Sequence, residues 1–300
     1  MADNTQVMSA NSIVLPKRPN PVMHFVREQP MGAASFVVIA LMMFAGLFPQ
    51  YVAPYDPLSI NFAAILAAPS WDHWLGTDAF GRDILSRIIY GSRTALVIGF
   101  ASSLLGSSIG AVLGIASAYF GGRIDTWIQR FVDILLAFPI IVLALVVVAA
   151  LRKTVIYGVD VNLIIAIAIP IIPRVARVVR AAALSVNVMP YIDAARAAGY
   201  SDTRIIFRHM APNVVAPFLI MFTAFIAQAI LLEASLSFLG LGVTEPTAAW
   251  GLMLSGNAAD FFREAPWMII FPGVAISLAV FAFNLFGDSL RDYLDPRFKT

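Results

Sequence analysis

Apolar residues in this chain come in long unbroken runs, not at alternate positions. A helix that crosses a bilayer needs about 20 largely apolar residues. Six stretches fit: 31–48, a portion of 94–122, 127–151, one from 161 into Arg174, 213–239 and 266–287. The third carries Arg130 and Asp133 near its start, and the fifth carries one acid, Glu233. Strand-type alternation is missing, which argues against a membrane barrel. The pattern therefore predicts an all-α integral membrane protein with six transmembrane helices.

The fourth stretch is the shortest, with 161–173 free of charge. Arg174 and Arg177 are expected to snorkel to the inner headgroups and let that helix continue. Pro170 and Pro173 predict a kink or break in it, because proline removes a backbone donor. Pro139, Pro217 and Pro272 fall inside other stretches. They read as static kinks or, in the functional alternative, as hinges.

The polar segments divide the chain further. Residues 1–30 form a polar, proline-containing tail that does not resemble a cleaved signal. Residues 31–50 hold the first helix. Residues 51–93 form an extracytoplasmic segment containing Trp71, His73 and Trp74. Within it, 82–90 reads as an amphipathic helix lying on the membrane, with Ile84, Leu85, Ile88 and Ile89 as its apolar face. The competing reading of the segment is a docking surface. Residues 94–290 make a five-helix core interrupted by a polar insert at 185–213, and 291–300 form a tail.

Two features inside the core stand out. Ser102, Gly106, Gly110, Gly114 and Ala118 recur every four residues and line one helix face. Such a stripe lets a second helix approach closely. The partner is expected within the chain. Asp133 and Glu233 are intramembrane acids, which are candidate functional groups by default. Each lies near a predicted span end, so each is expected to reach water or a basic partner. Arg130, three residues from Asp133, is on the same helix face.

Composition narrows the class. The 300 residues are 60% hydrophobic and 13% charged, about half the charged share of an ordinary soluble domain. That excludes a soluble globular enzyme and a disordered chain. Net charge is only +2, which excludes a basic nucleic-acid binder. There is no Cys, so disulfides and thiolate sites are excluded, and three scattered His do not form a His-rich metal site. With the amino terminus placed in the cytoplasm, 14 of the 20 basic residues fall on inner segments. The positive-inside rule therefore puts both termini in the cytoplasm. The only lysines are Lys17, Lys153 and Lys299, and none follows a Gly. A phosphate-cradling P-loop needs Gly-Lys-Ser/Thr, so this chain should not hydrolyse ATP.

The insert at 185–213 reads as helix, turn, helix. Pro190 suits a first helical turn, and 193–198 is Ala-rich and strongly helical. Gly199 can adopt positive φ and end that helix. Ser201 or Asp202 can cap a second helix, which Pro212 is expected to close before Asn213 leads into the fifth span. Ala194, Ala195 and Ala198 permit close approach by a partner, and Arg208 and His209 can fix its angle. An ordinary connecting hairpin fits the same residues.

The run Asp193-Ala194-Ala195, Gly199, Ile205 and Pro212 resembles the cytoplasmic coupling loop of ABC-importer permeases. Asp193 stands where the family has Glu, and Ala211 where it has Leu. Several further stretches are similar to the second (C-type) permease subunit of dipeptide/oligopeptide importers. These are Trp74-Leu-Gly76-Thr77-Asp78, Gly81-Arg82-Asp83, Ser86-Arg87, Gly91-Ser-Arg93, Tyr191 onward to Asn213, residues 233–242, and residues 287–297. The resemblance covers about residues 30–297. It implies a bacterial inner-membrane subunit paired with a second, homologous permease chain. Two ATPase subunits would carry ATP and magnesium, with no cofactor on this chain. A soluble extracytoplasmic binding protein would deliver a peptide-like substrate, and membrane lipid would surround the spans. The rival reading is an autonomous secondary transporter or channel using Asp133 or Glu233. A membrane enzyme lacks any convergent His/Asp/Glu set.

Overall fold

The computed structural model describes residues 21–156 and 159–294. Of the expected tails, 1–30 and 291–300, residues 1–20 and 295–300, with Lys17, Arg297 and Lys299, lie outside the described residues. Among the described residues the chain is predominantly helical, with one small hairpin of two-residue strands, β1 (Val155–Ile156) and β2 (Val159–Asp160). Among the described residues five helices are long and apolar enough to cross a membrane. A bent pair makes a sixth if it counts as one span.

α1 (Pro21–Glu28) leads into α2 (Pro30–Leu47), the first span, and α3 (Pro49–Val52) follows. The second span, α4, runs from Ile84 to Phe120. It therefore begins ten residues before the expected start. The stretch expected to lie flat on the membrane is instead its first turns. Ile84, Ser86 and Arg87 face the protein, not lipid, because Asp83 caps the helix and commits it to its direction there. The Asp83 carboxylate accepts from the Ser86 backbone N–H at 2.8 Å and from the Ser86 hydroxyl at 2.7 Å.

The third stretch is not a straight span. α5 (Gly122–Leu136) and α6 (Ile140–Ala150) meet at a 94° bend. Pro139 at the break cannot donate to the preceding turn. α5 keeps its charges on one face and α6 is uniformly apolar, so the two halves suit different surroundings.

α7 (Val161–Asn187) is one continuous 27-residue helix. The expected break at Pro170 and Pro173 does not occur. Both prolines are buried, packed among neighbours that hold the helix together. Next come α8 (Pro190–Ala197), α9 (Asp202–Ile205) and α10 (Val215–Phe238). Pro212 does not close the second helix of the insert. A wide turn at Ile206–Met210 and a tight one at Ala211–Val214 carry the helical path past it into α10. α11 (Trp250–Met253) and α12 (Asn257–Asp260) are short, and α13 (Trp267–Leu294) is the last span, running beyond the expected end at 287.

The core is built on α4 and α7, which run parallel. A Cβ at Gly106 would lie 2.7 Å from the Ala168 carbonyl oxygen, and one at Gly110 2.6 Å from that of Ile172. One at Gly114 would lie 2.7 Å from that of Ala176. Real Cβ atoms do not approach so closely, so glycine is required at all three sites. Ser102 and Ala118, at the ends of the stripe, are also buried. The stripe's partner is thus α7 of the same chain.

Candidate functional site: a hairpin and an ionic knot joined by one helix

The insert forms a hairpin whose turn is fixed by backbone geometry. α8 starts with Pro190 at its first position. It ends in a Schellman turn: the Gly199 N–H donates to the Arg196 carbonyl at 3.0 Å, and the Tyr200 N–H to that of Ala195 at 3.1 Å. Gly199 carries φ +74°, which an L side chain rarely adopts. The Ser201 side chain caps α9 at the Arg204 N–H. Arg204 lies over the Tyr200 ring at 3.9 Å, and the His209 ring sits 5.9 Å from it. Asn213 donates to the His209 carbonyl at 2.6 Å.

The hairpin is anchored on its inner side. Ile192, Ala195, Ile205, Met210 and Val214 are buried in the core that α4 and α7 build. Tyr119 near the end of α4 donates to Asp202 at 2.6 Å. Arg196 donates to Asn187 at 2.7 Å and to Asp193 at 3.1 Å, and Asn187 donates to the Ala118 carbonyl. Ala195 is therefore spent on this chain's own packing. Ala194, Ala198, Arg208 and Pro212 remain exposed. The outer side also carries exposed apolar residues: Val188, Met189, Tyr191 and Phe207, the last 70% exposed. Phe207 escapes a reading based on small residues. Its only signal in the sequence is an aromatic among charges.

At the other end of α4, residues 76–87 form an ionic knot. Gly76 and Gly81 have φ of +76° and +71°, which let the loop turn back so that Thr77 bridges Asp83. Arg82 donates through Nε to Asp78 at 2.7 Å and through its two terminal nitrogens to Glu245 at 2.9 and 3.3 Å. Arg87, 1% exposed, reaches Glu245 at 3.4 Å and the Pro57 carbonyl at 3.2 Å. Burial lowers the Arg82 pKa, but the hydrogen bond to Glu245 and the Asp78 charge outweigh it and raise the value. His73 Nδ1 lies 2.9 Å from the second oxygen of Asp83. Trp267 donates to the Thr77 carbonyl at 3.1 Å. Glu245, the acid that ties the knot to the loop after α10, sits 158 residues from Arg87 and cannot be found by spacing.

The two acids expected within the membrane do not come together. Asp133 pairs with Arg177 at 2.5 Å, both more than half exposed. Its expected partner Arg130 instead lies over the Trp127 ring at 5.4 Å. Glu233 is buried and reaches neither water nor a basic residue. One oxygen accepts from the Ser237 hydroxyl at 2.7 Å, and the other has no partner among the described residues. Asp125, not singled out by its position in the sequence, makes the stronger brace. It receives both Nε and a terminal nitrogen of Arg180, at 2.7 and 2.5 Å, and the Ser117 hydroxyl. This pins α5 across the α4–α7 seam. Among the described residues no cluster of His, Asp and Glu could hold a metal ion.

Residues 110–300 match the family described as "Binding-protein-dependent transport system inner membrane component". A putative peptide transport system permease of Brucella suis is 39% identical over 299 residues, covering 98% of this chain and 99% of that protein. The glutathione transport system permease protein GsiD of Pectobacterium atrosepticum is 42% identical, covering 92% of this chain and 90% of the relative. The dipeptide transport system permease protein DppC of Haemophilus influenzae is 40% identical, covering 95% and 97%. Among solved structures, an inward-facing MetNI methionine ABC transporter chain aligns with a TM-score of 0.54 at 18% identity. It covers 71% of this chain and 98% of that one.

Proposed function

This chain belongs to the family of binding-protein-dependent transport system inner membrane components, and from that premise we propose that it imports peptides or similarly sized solutes as one of two permease chains. It is a multi-pass membrane protein, and both termini face the cytoplasm. That orientation follows from the positive-inside count and puts the hairpin inside the cell and the ionic knot outside. Peptide-like cargo is supported by the names of the relatives, which include peptide, dipeptide and glutathione permeases.

The hairpin carries the reading. Its inner face is locked into the core and its outer face holds Val188, Met189, Tyr191 and Phe207. Four large apolar side chains on a rigid knob call for a groove on another protein. We assign that groove to an ATPase subunit, one beneath each permease chain, with ATP and magnesium bound there. The site residues are Tyr191, Asp193, Ala194, Ala198, Gly199, Arg208, His209, Pro212 and Asn213. Ala195 and Ile205 hold them from below. α4 then spans from knot to hairpin: its 37 residues measure roughly 55 Å at 1.5 Å each. A displacement of the hairpin is delivered to the outer loops along that rod and its α7 seam. The extracytoplasmic binding protein docks on the outer side, where Trp71 and Trp74 are exposed.

The test is removal of residues 193–199 in the complete assembly. Both peptide uptake and co-purification of the ATPase chains should be lost, and survival of both defeats the reading. Solute movement by the purified chain alone in liposomes, without ATP, would favour the autonomous transporter.

A further inference from the structure

A groove of about 410 Å³ opens between α7, α10 and α13. Its polar lining is Arg174, Gln228 and Asn284, and the remainder, including Met221, Ala224 and Phe225, is apolar. Its volume lies in the range of small-molecule sites. The groove is inside the membrane layer. α2 marks the thickness of that layer, its 18 residues spanning roughly 27 Å. Near its hairpin-side end Gly32 packs against Ser289 of α13. Asn284 is five residues up α13 from there, so it lies roughly 8 Å inside that boundary. Gln228 is five residues up α10 from Thr223, which packs beside Gly287, at a similar depth.

Arg174 does not snorkel to the headgroups as expected from the sequence. Its guanidinium donates to the Gln228 side-chain oxygen at 3.1 Å. Among the described residues it makes no ion pair, whereas Arg177 and Arg180 on the same helix both do. Asn284 is exposed in the chain taken alone. A cation and a free amide at this depth are costly against lipid tails and belong on a water-filled face.

We propose that Arg174, with Gln228 and Asn284, forms a hydrated anion-attracting station on the solute path, where a carboxylate of the passing solute replaces water at the guanidinium. This rests on the import reading above. The neutral amides orient the anion without adding charge, so Coulomb attraction comes from Arg174 alone. A single cation flanked by amides attracts a carboxylate and still lets it leave, which a second cation or a buried bidentate pair would prevent.

The chain's lack of cysteine makes the test clean. Ala224→Cys places one thiol in the groove, in the intact assembly in membranes. Its rates with a sulfonate-bearing and a trimethylammonium-bearing methanethiosulfonate are read from the mass of this chain. Each rate is normalised to the same reagent with free cysteine. The sulfonate stands in for the carboxylate. Both reagents should react, with the anionic one favoured severalfold, because a single nearby cation attracts the sulfonate and repels the trimethylammonium. Arg174→Gln should abolish the preference and Arg174→Lys should keep it. A thiol inert to both reagents overturns the proposal, because lipid or a partner helix then fills the groove. A ratio near one with Arg174 present overturns it too, because a carboxylate of another chain then neutralises the guanidinium. So does a ratio that Arg174→Gln leaves unchanged. The reaction needs neither cargo nor ATP, so a failed uptake test and a failed labelling test are separate results.

Discussion

Replacing any of Gly106, Gly110 or Gly114 by Ala should destabilise the protein, although alanine is the better helix former. The new methyl at Gly110 would meet the Ile172 carbonyl oxygen at 2.6 Å and the Val175 Cβ at 2.8 Å. At Gly106 and Gly114 it would likewise meet backbone oxygens of α7 at 2.7 Å. Backbone cannot rotate away like the tip of a side chain, so α4 and α7 must separate. Overpacking of this kind costs about 1–3 kcal/mol. Exchanging glycine for alanine in a helix returns about 0.5–1 kcal/mol. The net is a loss of roughly 1 kcal/mol per site. The three sites share one seam, so once the helices have moved apart a second methyl costs less, and the triple variant should lose less than the sum. Gly273→Ala in α13 is the control, since its methyl would meet nothing within 4 Å, and it should be neutral or stabilising. The assay is the thermal unfolding midpoint of the purified protein in one detergent, read by tryptophan fluorescence. Seam variants as stable as Gly273→Ala would refute the packing argument.

Glu245→Ala leaves Arg82 and the buried Arg87 sharing Asp78 alone, and should lower stability by about 2 kcal/mol, the buried-pair cost reduced because Glu245 is half exposed; the unfolding midpoint checks it. Gly199→Ala has room for its methyl but the wrong backbone angle, and should cost about 1–2 kcal/mol while Gly199→Asn costs less; limited proteolysis within the hairpin and the unfolding midpoint report it. Asp133→Asn and Arg177→Gln, at an exposed pair, should each change stability by less than about 1 kcal/mol, and a double-mutant cycle should return a coupling in the same range.

The spans and the turn of the hairpin were legible because their causes are local. An apolar run, a Pro at a first turn and a Gly that must take positive φ are each decided by a few neighbouring residues. The stripe of small residues at four-residue spacing was legible for the same reason, down to the need for a close partner. What eluded the sequence is decided across the fold. The start of α4 at Ile84 depends on Asp83 being held by His73 as well as capping Ser86. Asp133 faces Arg177, 44 residues away, and not Arg130 one turn away, because α5 lies against α7. Pro212 looks like a stop, yet the wide turn before it absorbs the missing donor. Glu245 and Arg174 carry no local pattern, and only the packing of α4, α7 and α10 gives them partners.

The central claim is that the outer face of the hairpin couples this chain to an ATPase. Ala194→Trp and Ala198→Trp test it directly. Both positions are exposed and leave the buried contacts of Ile192, Ala195 and Ile205 untouched. Measured on the purified assembly, either variant should leave this chain's unfolding midpoint unchanged while ATPase co-purification and ATP-driven peptide uptake fall together. Full co-purification and undiminished uptake in both variants would contradict the account.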